Sequence, residues 1–167
     1  MIIRLASRAD LPLLPGIERA AAALFRGTPM DFAADGAVNA PATFAAAHKR
    51  DLLWVAVIDG AAAGFMLAEP SESGLYLREM AVAPLAQRRG LGAALLAVSS
   101  AAAKPRGLSA VWLTTDRTLP WNAPFYARQS FTIVEGDAVP ADLRRRLQGQ
   151  AAAGFDPGRR CAMVRAA

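Results

Sequence analysis

Apolar and polar positions alternate along the chain with two periods, and the switches between them outline its elements. Ile2 to Leu5 is a short apolar run that reads as a strand, with Arg4 turned away from its neighbours. Ser7 and Asp10 are helix-start residues. They precede a helical pattern over Leu11 to Phe25, interrupted near Pro15-Gly16, with Ile17, Ala20, Ala21 and Leu24 on its apolar face and Glu18 and Arg19 off it. Arg26 to Ala40 is rich in Gly, Pro, Asp and Asn and reads as a mobile loop long enough to border a site. Pro41 to Lys49 is a short helix with Pro in its first turn. Leu52 to Ile58, the turn Asp59-Gly60, and Ala63 to Ala68 form a hairpin. The polar turn Glu69 to Gly74 returns the chain into the apolar run Leu75 to Val82, so three strands form an antiparallel meander.

After Pro84 the period changes from two to 3.6. Leu91, Leu95, Val98 and Ala102 fall on one face of a helix that runs to Ala103. Ala110 to Thr115 is a strand reached by this helical crossover, hence parallel to Leu75–Val82. Trp121 to Arg128 is a short helix, with Asn122 as cap and Pro124 in its first turn. Phe131 to Val134 is a strand, and Pro140 to Ala153 a helix with Leu143 and Leu147 inward and Arg144 to Arg146 mostly in water. Arg160 to Val164 is a closing strand. The order β-α-α-β-β-β-α-β-α-β-(α)-β predicts an α+β fold with a mixed, mostly antiparallel sheet, in a single domain over residues 1–167.

Composition narrows the function. The apolar fraction is 54%, but much of it is alanine, and no apolar run approaches the ~20 residues of a membrane span. The N-terminal stretch lacks the apolar region of a signal peptide, so the expected location is cytoplasmic. One cysteine, Cys161, and one histidine, His48, leave no disulfide framework and no thiolate- or imidazole-rich metal site. The net charge of +5 suits a polyanionic ligand, while the absence of a long Lys/Arg run speaks against nucleic acid. Trp54 and Trp112 read as core, His48 as a surface helix residue and Cys161 as a buried strand thiol.

The stretch from Leu75 to Ala103 carries the chemistry. Gln87-Arg88-Arg89-Gly90-Leu91-Gly92 joins a strand to a helix start. Glycines admit a ligand close to the backbone, and unpaired N–H groups with the helix dipole favour an anion there. A phosphate or pyrophosphate on Gly90 to Ala93 is the expectation. A dinucleotide-binding turn would need a small residue where Leu95 stands, and would open a βαβ unit instead of following a meander.

These residues resemble a known family. Gln87-Arg88-Arg89-Gly90-Leu91-Gly92 is similar to the Gln/Arg-x-x-Gly-x-Gly/Ala motif of the GNAT N-acetyltransferases, and Met80-Ala81-Val82-Ala83-Pro84 looks like that family's strand end. Asn122-Ala123-Pro124-Phe125-Tyr126, followed by Phe131, resembles its later Asn…Phe-Tyr motif. The likeness runs from Leu52 onward and is weaker over the first fifty residues. Two departures stand out: Ser130 occupies a position where the family usually has Gly, and the helix Pro140–Ala153 replaces a shorter connection.

The resemblance implies a GNAT-like sheet flanked by helices and acetyl-CoA as co-substrate, with no metal. Its pyrophosphate would lie on Gln87, Arg88, Arg89, Gly90, Leu91, Gly92 and Ala93. Its pantetheine arm would pair with Met80, Ala81 and Val82, and Asn122 would either touch it or only cap its helix. Glu79 is expected as the base that deprotonates the amine, with a pKa raised by partial burial; the alternative is an ion pair with Arg78 or another arginine. A backbone N–H near Met80 or Ala81 would meet the oxyanion. Tyr126 is expected to protonate the departing thiolate, or else to be a core tyrosine. Glu18, Phe25 and Trp121 are candidates for the acceptor side, with Glu18 alternatively an exposed helix carboxylate. The expected partner is a small-molecule or peptide amine, with no nucleic acid and no membrane, and a homodimer is the fold-level expectation. A second reading is a catalytically inactive acyl-CoA-binding sensor or partner-binding module of the same fold.

Overall fold

The computed structural model describes residues 1–167. The elements are β1 (Ile2–Leu5), α1 (Leu14–Ala22), α2 (Pro41–His48), β2 (Leu53–Ile58), β3 (Ala61–Ser71), β4 (Gly74–Val82), α3 (Leu91–Ala103), β5 (Ala110–Asp116), α4 (Ala123–Ala127), β6 (Thr132–Val134), α5 (Ala141–Ala152) and β7 (Arg160–Ala166). Hydrogen bonding orders the strands β1-β2-β3-β4-β5-β7-β6 in a seven-stranded sheet. The α+β class and the order of elements are those the pattern predicts. The chain forms two compact units, Met1–Glu69 with Arg78–Val98, and Pro70–Leu77 with Ser99–Ala167, so that β4 contributes to both.

In the first unit β1 pairs antiparallel with β2, and β2 with β3, the latter with an irregularity between Ala56 and Val57. Leu14 and Ile17 of α1 and Phe44 and Ala47 of α2 pack on Val55, Phe65, Leu67 and Ala81. The rings of Phe44 and Phe65 meet edge to face at 5.3 Å. Burying each such side chain contributes about 1.5–3 kcal/mol. Gly64 permits a close backbone approach, because a Cβ there would stand 2.9 Å from the Ala81 carbonyl oxygen.

Several expectations for this unit change. The helix predicted over Leu11–Phe25 is α-helical only from Leu14 to Ala22, with 3-10 turns at Leu11–Leu13 and Ala23–Phe25. Its buried residues are Leu14, Ile17 and Glu18, whereas Ala20 and Leu24 are exposed. Asp10 does not cap a helix with its side chain. Its carboxylate instead accepts from both terminal nitrogens of Arg4, at 2.7 and 3.0 Å, and from the backbone N–H and hydroxyl of Ser7, both at 2.7 Å. The segment predicted as a loop contains a 3-10 turn, Asp31–Asp35, with Met30 and Ala34 buried.

In the second unit the start of β4 pairs parallel with β5, Leu75 beside Val111 and Tyr76 beside Trp112. β5 pairs antiparallel with β7 along its length, and β7 with β6. α5 sets Leu143 and Leu147 against Tyr76, Trp112, Val139 and Ala162. Asp142, in its first turn, accepts from the Ser73 hydroxyl at 2.9 Å, and the Trp112 indole N–H donates to the Ser73 carbonyl at 3.0 Å, which fixes the turn before β4. Gly74 is required there: at φ 148° a Cβ would collide with the Ala110 carbonyl. Arg146, expected in water, lies over the Tyr76 ring with Cζ 3.9 Å from its centroid. Trp54, Trp112 and Cys161 are buried.

Candidate active site

The strand-to-helix stretch of the first unit is shaped by its own hydrogen bonds. After Val82 a 3-10 turn, Pro84–Ala86, closes with Ala86 N–H donating to the Ala83 carbonyl at 2.8 Å. The Gln87 side-chain amide then donates to the Val82 carbonyl at 3.0 Å, so this predicted cofactor residue ties the loop to the end of β4. Arg88 and Gly90 have left-handed backbones, φ 60° and 82°. A Cβ at Gly90 would meet nothing within 4 Å, so the need for glycine there is conformational and not one of space.

α3 begins at Leu91, and the Gly90 carbonyl accepts the first helical bond, from Ala94 at 3.0 Å. The N–H groups of Leu91, Gly92 and Ala93 therefore precede the helical ladder, where the helix dipole is positive. Arg88 and Arg89 beside them are exposed. Leu91, Leu95, Leu96, Ser99, Ala102 and Ala103 are the buried residues of the helix; Val98, predicted to share that face, is half-buried.

On β4, Glu79 is half-buried and shares its strand face with Ala81, the face that packs under α1 and α2. Its Oε1 accepts from the backbone N–H of Met80 at 3.2 Å. One N–H expected at the oxyanion thus points to the neighbouring carboxylate. Arg78, the expected ion-pair alternative, turns elsewhere. Its Nε donates to the Asn39 side-chain oxygen at 3.0 Å, and its Nη1 lies 3.5 Å from Glu69.

Glu18 is buried and not an exposed helix carboxylate. Both its oxygens accept from the Asn39 backbone N–H at 3.1 Å, and Oε1 also from the Asn39 side-chain amide at 3.0 Å. Burial raises its pKa, opposed by the Asn39 bonds. Glu18, Asn39, Arg78 and Glu69 thus form one polar chain that joins α1 to β4. Neither Asn39 nor Arg78 was expected in such a role, and no local signal marks a loop asparagine as the partner of a carboxylate 21 residues earlier. Phe25, half-buried, closes a turn through its carbonyl, which accepts from the Thr28 hydroxyl at 2.6 Å.

The second unit holds the remaining candidates. Asn122 caps α4 through its backbone carbonyl, which accepts from Phe125 and Tyr126 at 2.8 and 3.0 Å, while its side chain makes no cap bond. The side-chain cap read from the sequence is therefore corrected. Tyr126 is half-buried between the rings of Phe125 and Phe131, at 5.3 and 5.9 Å, both edge to face. Ser130 adopts φ 65°, the left-handed turn for which glycine is the relaxed residue. Trp121 is half-buried just before α4. The structure thus brings Trp121, Asn122 and Tyr126 together on one segment, and gathers Glu79 to Val82, the loop residues and Glu18 in the first unit.

Comparison with known proteins gives these features a family. Residues 22–131 match the sequence model of the Acetyltransferase (GNAT) family. The chain belongs to this family. Among solved structures, a ribosomal-protein-alanine N-acetyltransferase from Brucella melitensis is 19% identical over 100% of both chains, with a TM-score of 0.70. The PaiA N-acetyltransferase from Thermoplasma acidophilum, solved in complex with coenzyme A, is 16% identical over 99% of this chain and 98% of its own, with a TM-score of 0.71. The ribosomal-protein-S18-alanine N-acetyltransferase from Escherichia coli is 22% identical over 99% and 92%, with a TM-score of 0.65. At these identities the likeness is one of GNAT fold. No helix is long and apolar enough to cross a membrane.

Proposed function

We propose that the protein is an acetyl-CoA-dependent N-acetyltransferase that moves an acetyl group to a primary amine by direct attack in a ternary complex. The observation that carries this reading is the left-handed Gly90 opening the 13-residue helix α3, with the first N–H groups of the helix beside exposed Arg88 and Arg89. That arrangement suits a pyrophosphate. The backbone of Met80, Ala81 and Val82 would pair with the pantetheine arm.

The amine is mostly protonated at neutral pH, with an ordinary pKa near 10, and must lose a proton before it attacks. Glu79 takes that proton, directly or through water. The amine nitrogen then bonds to the thioester carbonyl carbon, and the oxyanion is met by backbone N–H groups of β4. The Met80 N–H, which donates to Glu79 in this structure, is released as Glu79 becomes protonated. Collapse breaks the carbon–sulfur bond, the thiolate takes the phenol proton of Tyr126, and the nitrogen gives up its second proton to solvent, which restores the phenol. A phenol near pKa 10 can protonate a thiolate near 8.5 when transfer is concerted with departure.

Glu18, Phe25 and Trp121 are assigned to the acceptor side, and the acceptor is a small-molecule or peptide amine. We place the protein in the cytoplasm, acting as one acetyltransferase domain and as a homodimer. A thiol-release assay with acetyl-CoA and a panel of amines tests the reading. Thiol release that depends on amine supports it; binding of acetyl-CoA without release by any amine would leave only the non-catalytic sensor.

A further inference from the structure

The helix that carries Tyr126 is too short to orient itself. α4 has five residues, and a helix of that length keeps its place only through what it is tied to. At its end the Phe131 N–H donates to the Tyr126 carbonyl at 3.1 Å, across a turn in which Ser130 holds the left-handed φ of 65°. At its start the Asn122 side chain makes no cap bond, so the anchor lies further back.

That anchor is Asp116, the last residue of β5, which is fully buried. Its carboxylate accepts five hydrogen bonds. Oδ1 takes the N–H groups of Thr118 and Leu119 at 2.8 and 2.9 Å, the Thr118 hydroxyl at 3.1 Å and Arg159 Nη2 at 3.1 Å, while Oδ2 takes Arg159 Nε at 2.9 Å. Arg159 lies in the turn between α5 and β7. It grips the same loop twice more: Nη2 donates to Thr118 Oγ1 at 2.7 Å, and its carbonyl accepts from the Arg117 N–H at 2.7 Å. From Asp116 a relay of main-chain bonds reaches the tyrosine. The carboxylate holds the Leu119 N–H, the Leu119 carbonyl accepts from the Asn122 N–H at 2.9 Å, and the Asn122 carbonyl accepts from the Tyr126 N–H at 3.0 Å. All of these residues lie in the second unit.

A turn closed by a side chain needs one oxygen, which asparagine or serine also supplies. The second oxygen of Asp116, buried and bound to a guanidinium, goes beyond what the turn requires. A buried carboxylate locked to a planar guanidinium has one favourable arrangement, because rotating either group leaves charge unpaired. We propose that Asp116, locked to Arg159, is a positioning residue for the transfer: it fixes the start of α4 and so holds the Tyr126 phenol where it gives its proton to the departing thiolate. The inference rests on the acid role of Tyr126 in the transfer reading.

The test is a double-mutant cycle in thiol release, with D116N and R159Q each alone and each combined with Y126F. D116N keeps an oxygen for the Thr118 and Leu119 N–H groups and loosens the tie to Arg159. R159Q loosens the same tie from its partly exposed side. Each should lower kcat about tenfold or more, with acetyl-CoA affinity within about twofold. R159K keeps the charge without the planar fork; it should fall between, and it is the variant read if R159Q does not fold. These defects should shrink with an acetyl thioester of a more acidic thiol. In the Y126F background the same substitutions should cost less than about twofold. An undiminished loss there would overturn the proposal, since Asp116 would then act on the protein as a whole and not through Tyr126. A readout without turnover comes from NMR of isotopically labelled tyrosine, because the chain has only Tyr76 and Tyr126. The signal that Y126F removes should shift in D116N and R159Q, and an unmoved signal would also overturn the proposal. If Y126F leaves kcat unchanged, or no amine is turned over, the transfer reading fails and the proposal with it. A slowed Y126F with undiminished losses sinks the proposal alone.

Discussion

Replacing Tyr126 by Phe deletes a single oxygen and leaves the aromatic packing in place. The two edge-to-face contacts, at 5.3 and 5.9 Å, are each worth about 0.5–1.5 kcal/mol and are made equally well by a phenylalanine ring. The ring is half-buried, and α4 is held by backbone bonds from Asn122 that the substitution does not touch. The substituted protein should therefore still fold, and its melting temperature is measured alongside the kinetics. Losing a positioned proton donor costs about 10²- to 10⁴-fold in rate, which is about 2.7–5.4 kcal/mol of transition-state stabilisation. The assay is thiol release at saturating amine, with acetyl-CoA affinity measured separately by calorimetry. We expect kcat to fall by about a hundredfold or more and the affinity to stay within about twofold. The defect should shrink with an acetyl thioester of a more acidic thiol, whose departing thiolate needs less help. A kcat within twofold of wild type, or a defect that ignores the leaving group, would refute the acid role.

Gly90→Val should lose about tenfold or more in acetyl-CoA affinity by calorimetry, because a β-branched residue resists φ 82°. Gly90→Asn should retain most of that affinity, since asparagine tolerates the left-handed region and a Cβ there has open space. Glu79→Gln should remove the acidic limb of the pH–rate profile for kcat/KM, and an unchanged limb would assign the base elsewhere. Asp10 is held well below the usual carboxylate range by Arg4 and Ser7. Its contribution to stability is therefore fully present above the unfolded value of about 3.9 and fades as the pH falls below it. Asp10→Asn should cost about 1–3 kcal/mol near neutral pH, and its gap to wild type should narrow in melts between pH 5 and pH 3.

The strand β4 and the loop into α3 were legible because their signals are local. An apolar run, a proline, two glycines and a change of period all lie within about thirty residues. The apolar face was misread at Ala20, because alanine loses little by being exposed and does not mark a face, and at Leu24, because the α-helix stops at Ala22 and Leu24 lies in the 3-10 turn that follows. Glu18 was misplaced for a different reason. Its burial depends on Asn39, a partner that only the return of the chain supplies. At Asn122 the residue type pointed to capping, and capping occurs, but through the carbonyl, with backbone angles of −107° and −121° that leave the side chain aside. Asp116 and Arg159 were invisible as a pair, since their meeting depends on the register of β5 against β7.

The strand order of the second unit bears on how the chain is made. β6 is synthesised before β7, yet in the sheet β7 lies between β5 and β6. Until residues 160–166 leave the ribosome, β5 lacks its antiparallel partner and β6 has no strand to join. During that interval two strand edges with unpaired backbone groups stand open to other nascent chains. Slow translation or premature termination upstream of Arg160 should therefore show up as aggregation instead of a merely shortened protein, and co-translational chaperones should matter most before β7 emerges.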